Sequence, residues 1–303
     1  MQVFADIAEF RRWRSTAADP LGLVPTMGAL HAGHLSLVVA ARSRSATVVA
    51  SVFVNPMQFA PGEDLASYPR DLAGDVDTLR DAGVDAVFAP SVEAFVPDEL
   101  TTKVSVSGLT ETMEGVFRPG HLDGVATIVT KLFNVVQPAV AVFGEKDYQQ
   151  LTMIRRMVID LDLPVEVASV PIVRDHDGLA LSSRNIHLSA DERARALGLS
   201  TALRRTAQAW TGNADAARKV LMTTLTEVRD IDVDYADVVD EHTLVALHGG
   251  GHRRARALVA ARVGSTRLID NLLLATRNGP EHLRHASAEH HAAGPDDVKL
   301  EGP

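Results

Sequence analysis

The sequence contains no cysteine in 303 residues. That absence excludes disulfides, thiolate-held metals, iron–sulfur clusters and a cysteine nucleophile, and it suits a reducing compartment. Basic residues are outnumbered, with 30 Lys and Arg against 39 Asp and Glu, for a formal net charge of −9. Such a chain repels polyanions overall, so a general nucleic-acid binder is not expected, although a local basic pocket is compatible with the count. Long apolar runs are missing as well. The longest, at 46–54 and 138–143, fall well short of the ~18 residues that a membrane-spanning helix requires. The first residues, MQVFADIAEFRRW, carry two early acids and no apolar block before a small-residue cleavage site. They read as the start of a fold and not as a signal peptide, and the expectation is a cytoplasmic protein without membrane contact. No GxxxxGK[ST] string occurs, which removes a P-loop, and no Ser–His–Asp candidate stands out.

What is present alternates. Short β-branched runs at 21–25, 47–54, 84–89, 139–143 and 165–171 are separated by helical patterns at 35–44, 71–82, 122–137 and 147–160. In the third helical segment Val125, Ile128, Val129, Leu132, Phe133 and Val136 share one face, while Thr127, Thr130, Lys131 and Asn134 take the other. Strands written as continuous apolar runs belong to a parallel sheet covered on both faces. The pattern predicts an α/β, doubly wound (Rossmann-like) domain over 1–175, with its ligands at the carboxyl ends of the strands. Beyond 175 the order changes. Ser189-Ala-Asp-Glu192 spells a capping box that opens a helix to about Trp210, and a second helix follows at 214–229. Strands at 232–239 and 257–263, with a Gly-rich turn at 249–251, complete a smaller α+β C-terminal domain over 176–277. From 278 apolar periodicity is lost, and the expectation is a disordered tail carrying His282, His285, His290 and His291.

Three loops at strand ends hold groups suited to chemistry. Directly after the first strand comes Pro25-Thr-Met-Gly-Ala-Leu-His31-Ala-Gly-His34. Its glycines permit a tight turn, and both histidines fall at the start of the next helix, where free N–H groups favour an anion. Phosphate oxygens suit that donor cradle; the i, i+3 spacing alone also fits structural or metal-binding histidines. The second loop, Gly144-Glu-Lys146-Asp147, places a lysine at a strand-to-helix turn, where it can neutralise phosphate charge or merely sit on the surface. Third, Ser182-Ser183-Arg184 offers hydroxyls and a fixed cation suited to a departing pyrophosphate, though a plain Ser-rich interdomain loop reads the same way.

The spelling His31-Ala32-Gly33-His34 resembles the HxGH signature of the nucleotidyltransferase superfamily. The longer strings PTMGALHAGHLSLV, SVFVNPMQF, YPRD, RPGHLDGVATIVTKLFNVVQP, FGEKDYQQL and DGLALSSRN narrow this, and together they resemble the pantothenate synthetase (pantoate–β-alanine ligase) family over about 21–271. The resemblance implies ATP-dependent joining of pantoate and β-alanine through a pantoyl adenylate, releasing AMP and pyrophosphate. It also implies Mg²⁺ alongside ATP, and a homodimer. It assigns catalytic roles to His34, His31 and Lys146. Met27, Gly33, Gly144, Asp147, Val173, Ser182, Ser183 and Arg184 would bind ATP. Gln58 and Gln150 would hold pantoate against an apolar wall that includes Pro25 and Phe143, with Met27 adjoining. Asn55, Tyr68, Arg118 and His121 would form the β-alanine pocket, and the loop 60–67 a lid. Asp75 is the implied Mg²⁺ ligand, although Gly74 stands where some members carry a second acid. A nucleotidylyltransferase of the same superfamily would share HxGH, but would want basic residues where this chain has Gln58, Gln150 and an apolar wall.

Overall fold

The computed structural model describes residues 1–60, 62–98 and 100–276. The tail histidines expected beyond 278 lie outside the described residues. The first part of the chain runs β1 (Gln2–Phe4), α1 (Ile7–Arg14), β2 (Leu21–Thr26), α2 (Ala32–Arg42), β3 (Thr47–Val52), α3 (Leu72–Asp81) and β4 (Ala86–Phe88). It continues through α4 (Val92–Phe95), α5 (Glu114–Phe117), α6 (His121–Val136), β5 (Val140–Gly144), α7 (Tyr148–Asp160) and β6 (Glu166–Val170). The remainder comprises α8 (Ala190–Gln208), α9 (Ala214–Thr226), β7 (Ile231–Val239), β8 (Arg254–Val263) and β9 (Thr266–Ala275).

β1 to β6 form one parallel sheet in the order β1-β4-β3-β2-β5-β6. Its two faces are read directly from the alternation of β2 and β3. Leu21, Leu23 and Val49 pack with α1, α6 and α7 in one core, whereas Val24, Val48 and Ala50 pack with α2 and α3 in another. Burial on both sides explains why these strands are apolar throughout. The chain winds outward from β2 through β3 to β4, then returns to place β5 on the other side of β2. That reversal leaves a crevice beyond the carboxyl ends of β2 and β5, the ordinary place for a ligand in such a sheet.

The second sheet is antiparallel, β7-β8-β9, and carries α8 and α9 on one face. Ser189 and Glu192 make both bonds of the capping box expected there. Two strands differ from expectation. β1 is only three residues long, too short for a periodic signal. β9 contains Asp270-Asn271 at its centre, which breaks an apolar reading. Both are buried and paired instead: Arg174 donates to both oxygens of Asp270 at 2.7 and 2.9 Å, and Arg256 donates to Asn271 Oδ1 at 2.5 Å. The two sheets are joined by a polar cluster. Arg267 of β9 donates to Glu114 of α5 at 2.8 Å through each of two nitrogens, and Tyr235 of β7 donates to the same carboxylate at 2.8 Å. Among the described residues no helix is long and apolar enough to cross a membrane.

Candidate active site

α2 begins with His31 as its N-cap, and the two histidines cap the helix reciprocally. His31 Nδ1 accepts from the Gly33 N–H at 3.1 Å, while His34 Nδ1 accepts from the His31 N–H at 3.3 Å. An Nδ1 that accepts carries no proton, so in the neutral imidazole the proton sits on Nε2. Backbone geometry thus fixes both rings in the tautomer that offers an Nε2–H donor. The rings lie 4.1 Å apart, centre to centre. Burial, then the neighbouring His31, then Lys146 hold His34 at a pKa of about 3, against a partial upward pull from Asp147. Burial and Lys146 lower His31 too, opposed by Asp147. Both therefore stay neutral donors at physiological pH. Gly33 is required by space, because a Cβ there would stand 2.8 Å from His31 Cε1 and 2.9 Å from Nδ1.

Opposite them, β5 ends at Gly144 and a 3₁₀ turn over Glu145–Asp147 carries Lys146. The Lys146 ammonium is 3.9 Å from Asp147 and largely covered. The turn is held from the second sheet: Asn271 donates to the carbonyl oxygens of Glu145 at 2.9 Å and Lys146 at 3.0 Å. Arg256 stacks on Tyr148 at 3.5 Å from the ring centre and reaches Glu145. Nothing in the sequence marks Asn271 or Arg256 for this work, since both sit in strands far along the chain.

β3 leads into Asn55, which accepts from Met57 N–H and donates to the Gly124 carbonyl and to Gln58 Oε1, each at 3.0–3.1 Å. Every polar atom of this buried amide is thus used in holding Gln58 against α6. Gln58 Nε2 is left directed at Met27 Sδ, at 2.6 Å. Arg118 is surrounded: Glu63 takes two bonds at 2.8 Å, the Gln58 carbonyl one at 3.1 Å, and His121 Nε2 lies at 3.1 Å. His121 Nδ1 meets the Gln58 carbonyl at 2.8 Å, so it must be the protonated nitrogen and Nε2 the acceptor. Burial, then the Arg118 charge, keep His121 neutral, with a pKa of about 4. Tyr68 is buried with its hydroxyl 3.3 Å from Ser183 Oγ. Ser182 caps the 3₁₀ turn that carries Arg184, and Arg184 donates to both oxygens of Asp64. Glu63 and Asp64 lie in the loop 60–67, and no local pattern in the sequence marks them as the partners of these two arginines.

One cavity of about 230 Å³ brings these loops together. Pro25, Met27, His31, Gly33, His34, Asn55, Gln58, Tyr68, Arg118, His121, Phe143, Gly144, Lys146, Asp147, Gln150, Val173, Ser182, Ser183 and Arg184 all line it. An adjoining cleft of about 720 Å³ shares Arg118, His121, Lys146, Asp147, Gln150, Ser182 and Arg184, and opens toward β9. Asp75 is the expected site residue that does not line the cavity. Its carboxylate is buried beneath the loop and accepts from the backbone N–H groups of Ala29 and Leu30 at 3.0 and 2.9 Å. Among the described residues no three His, Asp or Glu side chains gather as a metal cage. With both oxygens bonded to backbone N–H groups and outside the cavity lining, Asp75 does not fit the implied role of Mg²⁺ ligand.

Comparison with known proteins points to one family. A family model described as pantoate–β-alanine ligase matches residues 2–273. A pantothenate synthetase of Mycolicibacterium smegmatis is 50% identical over 271 residues, covering 89% of this chain and 85% of its own. One from Herpetosiphon aurantiacus is 47% identical over 277 residues, 90% of this chain and 100% of the relative. The crystal structure of pantothenate synthetase from Thermus thermophilus superposes with a TM-score of 0.86 at 48% identity, covering 91% of this chain and 100% of that one. A pantoate–β-alanine ligase from Francisella tularensis, complexed with β-γ ATP and β-alanine, gives a TM-score of 0.76 at 31% identity, over 92% and 99% of the two chains. By sequence over nearly all of its described length, and by fold, the chain belongs to the pantoate–β-alanine ligase family.

Proposed function

We propose that the chain is an enzyme that uses ATP to join pantoate to β-alanine in two steps. First, a carboxylate oxygen of pantoate attacks the α-phosphorus of ATP. A P–O bond forms to the acid, the bond to the β-phosphate bridge breaks, and pyrophosphate leaves. Second, the neutral amine of β-alanine attacks the carbonyl of the pantoyl adenylate, a C–N bond forms, AMP departs with the electron pair of the broken C–O bond, and the nitrogen releases one proton to solvent. Phosphoryl transfer leaves a protein mainly positioning and charge stabilisation.

The observation that carries this reading is the composition of one cavity. His31 and His34 as fixed Nε2–H donors, Lys146 and Arg184 supply cationic and donor character for a triphosphate. The same walls include Pro25, Phe143, Gln58 and Gln150, an apolar surface with two uncharged amides that suits a branched hydroxy acid and not a phosphorylated acceptor. In this proposal Met27, Gly33, Gly144, Asp147 and Val173 contact the nucleotide, and Ser182 and Ser183 its outer phosphates. Tyr68 and Arg118 form the β-alanine pocket. Asn55 and His121 serve it by orienting Gln58 and Arg118. No step is assigned to a metal held by Asp75, whose two oxygens accept from the Ala29 and Leu30 N–H groups. A division at residue 175, a homodimer and a cytoplasmic location belong to the same reading.

Pantoate-dependent ATP–pyrophosphate exchange, measured with Mg²⁺ and without β-alanine, tests it. The expected result is exchange only when pantoate is present. A well-folded protein that shows none overturns adenylation of this acid.

A further inference from the structure

The turn between β2 and α2 takes an unusual path. Gly28 and Ala29 both have positive φ, 81° and 52°. The left-handed region is ordinary for glycine and unfavourable for a residue with a Cβ, so Ala29 keeps it only where its surroundings insist. Asp75 provides the insistence. From the first turn of α3 its two oxygens take the N–H groups of Ala29 and Leu30, one each, at 3.0 and 2.9 Å. The approach is so close that a Cβ on Gly28 would stand 2.6 Å from Asp75 Oδ2. The next residue is His31, whose backbone N–H binds His34 and whose ring binds Gly33. A shift of the Ala29–Leu30 peptide therefore moves both imidazoles together.

We infer that Asp75 is a positioning residue, a buried anionic strut that holds the left-handed turn and thereby aims the His31 and His34 donors, and not a magnesium ligand. The inference about catalysis rests on the ligase reading above; the strut itself does not. Charge suits the task, since one carboxylate accepts two adjacent N–H groups with stronger bonds than a neutral amide could make. Both Asp75 oxygens are turned onto the Ala29 and Leu30 N–H groups, and Asp75 does not line the cavity where a metal would meet the triphosphate.

The test uses the full chain and three readouts. Backbone amide hydrogen exchange in the unmodified protein should show Ala29 and Leu30 protected at least about tenfold over open loops, equally with Mg²⁺ and with a chelator. Asp75→Asn should lower kcat for pantoate-dependent exchange about 10–100-fold, as loss of an orienting partner does, while the Mg²⁺ concentration for half-maximal rate stays unchanged. Adding Ala29→Gly to that variant should restore part of the rate, because glycine adopts this backbone without help. Amides that exchange at free-loop rates overturn the strut. So does an Asp75→Asn variant whose rate returns to normal at high Mg²⁺. If Asp75→Asn fails to fold, amide exchange in the unmodified protein still decides, and a lack of activity there overturns the ligase reading alone.

Discussion

Arg184 and Asp64, 120 residues apart in the chain, form a two-bond ion pair of 2.7 and 3.0 Å in the cleft that adjoins the cavity. Glu63, the neighbour of Asp64, does the same to Arg118. Two adjacent carboxylates thus occupy the two guanidinium groups assigned to the anionic parts of nucleotide and amino acid. In the ligase reading, each substrate anion competes with a carboxylate of this loop for the same guanidinium. Substrate binding and the loop's hold on these arginines are then coupled.

That exchange predicts an effect opposite to the usual cost of removing an ion pair. Asp64→Asn frees Arg184. The pair is partly solvated, so it is worth about 1 kcal/mol or less, and ATP affinity should rise by no more than about fivefold. Calorimetric titration of nucleotide reads it. Weaker binding would show that Asp64 orients Arg184 for the phosphates and does not compete with them.

Stability should fall as the medium is acidified. The folded chain holds His34 at a pKa of about 3 and His121 at about 4, below the ordinary value of 6.5. Above 6.5 both states are neutral and pH has no effect through these groups. Between 6.5 and the folded values the unfolded chain takes up protons that the folded chain refuses. Stability therefore drops by up to about 1.4 kcal/mol per pH unit for each histidine. Denaturant melts from pH 7 to pH 4.5 should show the slope, and His121→Gln should flatten it.

Gly124 sits in the first turns of α6, against the turn that carries Gln58. A Cβ there would stand 2.2 Å from the Met57 carbonyl oxygen and 2.5 Å from its carbon, both backbone atoms. Gly124→Ala should cost about 1–3 kcal/mol in a thermal melt. It should also raise KM for pantoate, because helix and turn must part.

Asn271→Ala removes the two donors that pin the Glu145 and Lys146 carbonyls. The expected loss is about 10–100-fold in kcat with little change in the KM for pantoate. Lys146→Ala should cost more, with the fold intact. Single-turnover formation of the adenylate separates the two. An unaffected rate in Asn271→Ala would mean the turn holds itself.

The chemistry-bearing loops were legible because each follows a strand and concentrates unusual residues: two glycines and two histidines, a lysine at a turn, a Ser-Ser-Arg run. Their convergence on one cavity could be expected from the doubly wound pattern. What the sequence hid were partners supplied from elsewhere. Asp75 reads, by resemblance, as a metal ligand, and its bonds to the Ala29 and Leu30 amides depend on where α3 lies. Asn271 and Asp270 make β9 look polar, although Arg256 and Arg174 complete them. His121 and Asn55, expected at the β-alanine pocket, line the cavity, and their polar atoms also bond to Arg118, Gln58, Met57 and Gly124. Such roles are set by tertiary contact and leave no local pattern.

The strand order has a consequence for how the chain is made. β2 lies at the centre of the sheet, but one of its two neighbours, β5, begins at residue 140. As the polypeptide leaves the ribosome, β2 can pair with β3 early, while its other edge stays open through more than a hundred further residues of synthesis. An unpaired apolar edge is a template for the wrong partner. The first half of this protein is therefore hazardous to itself until the second half emerges, and fragments ending before β5 should aggregate where the whole chain does not.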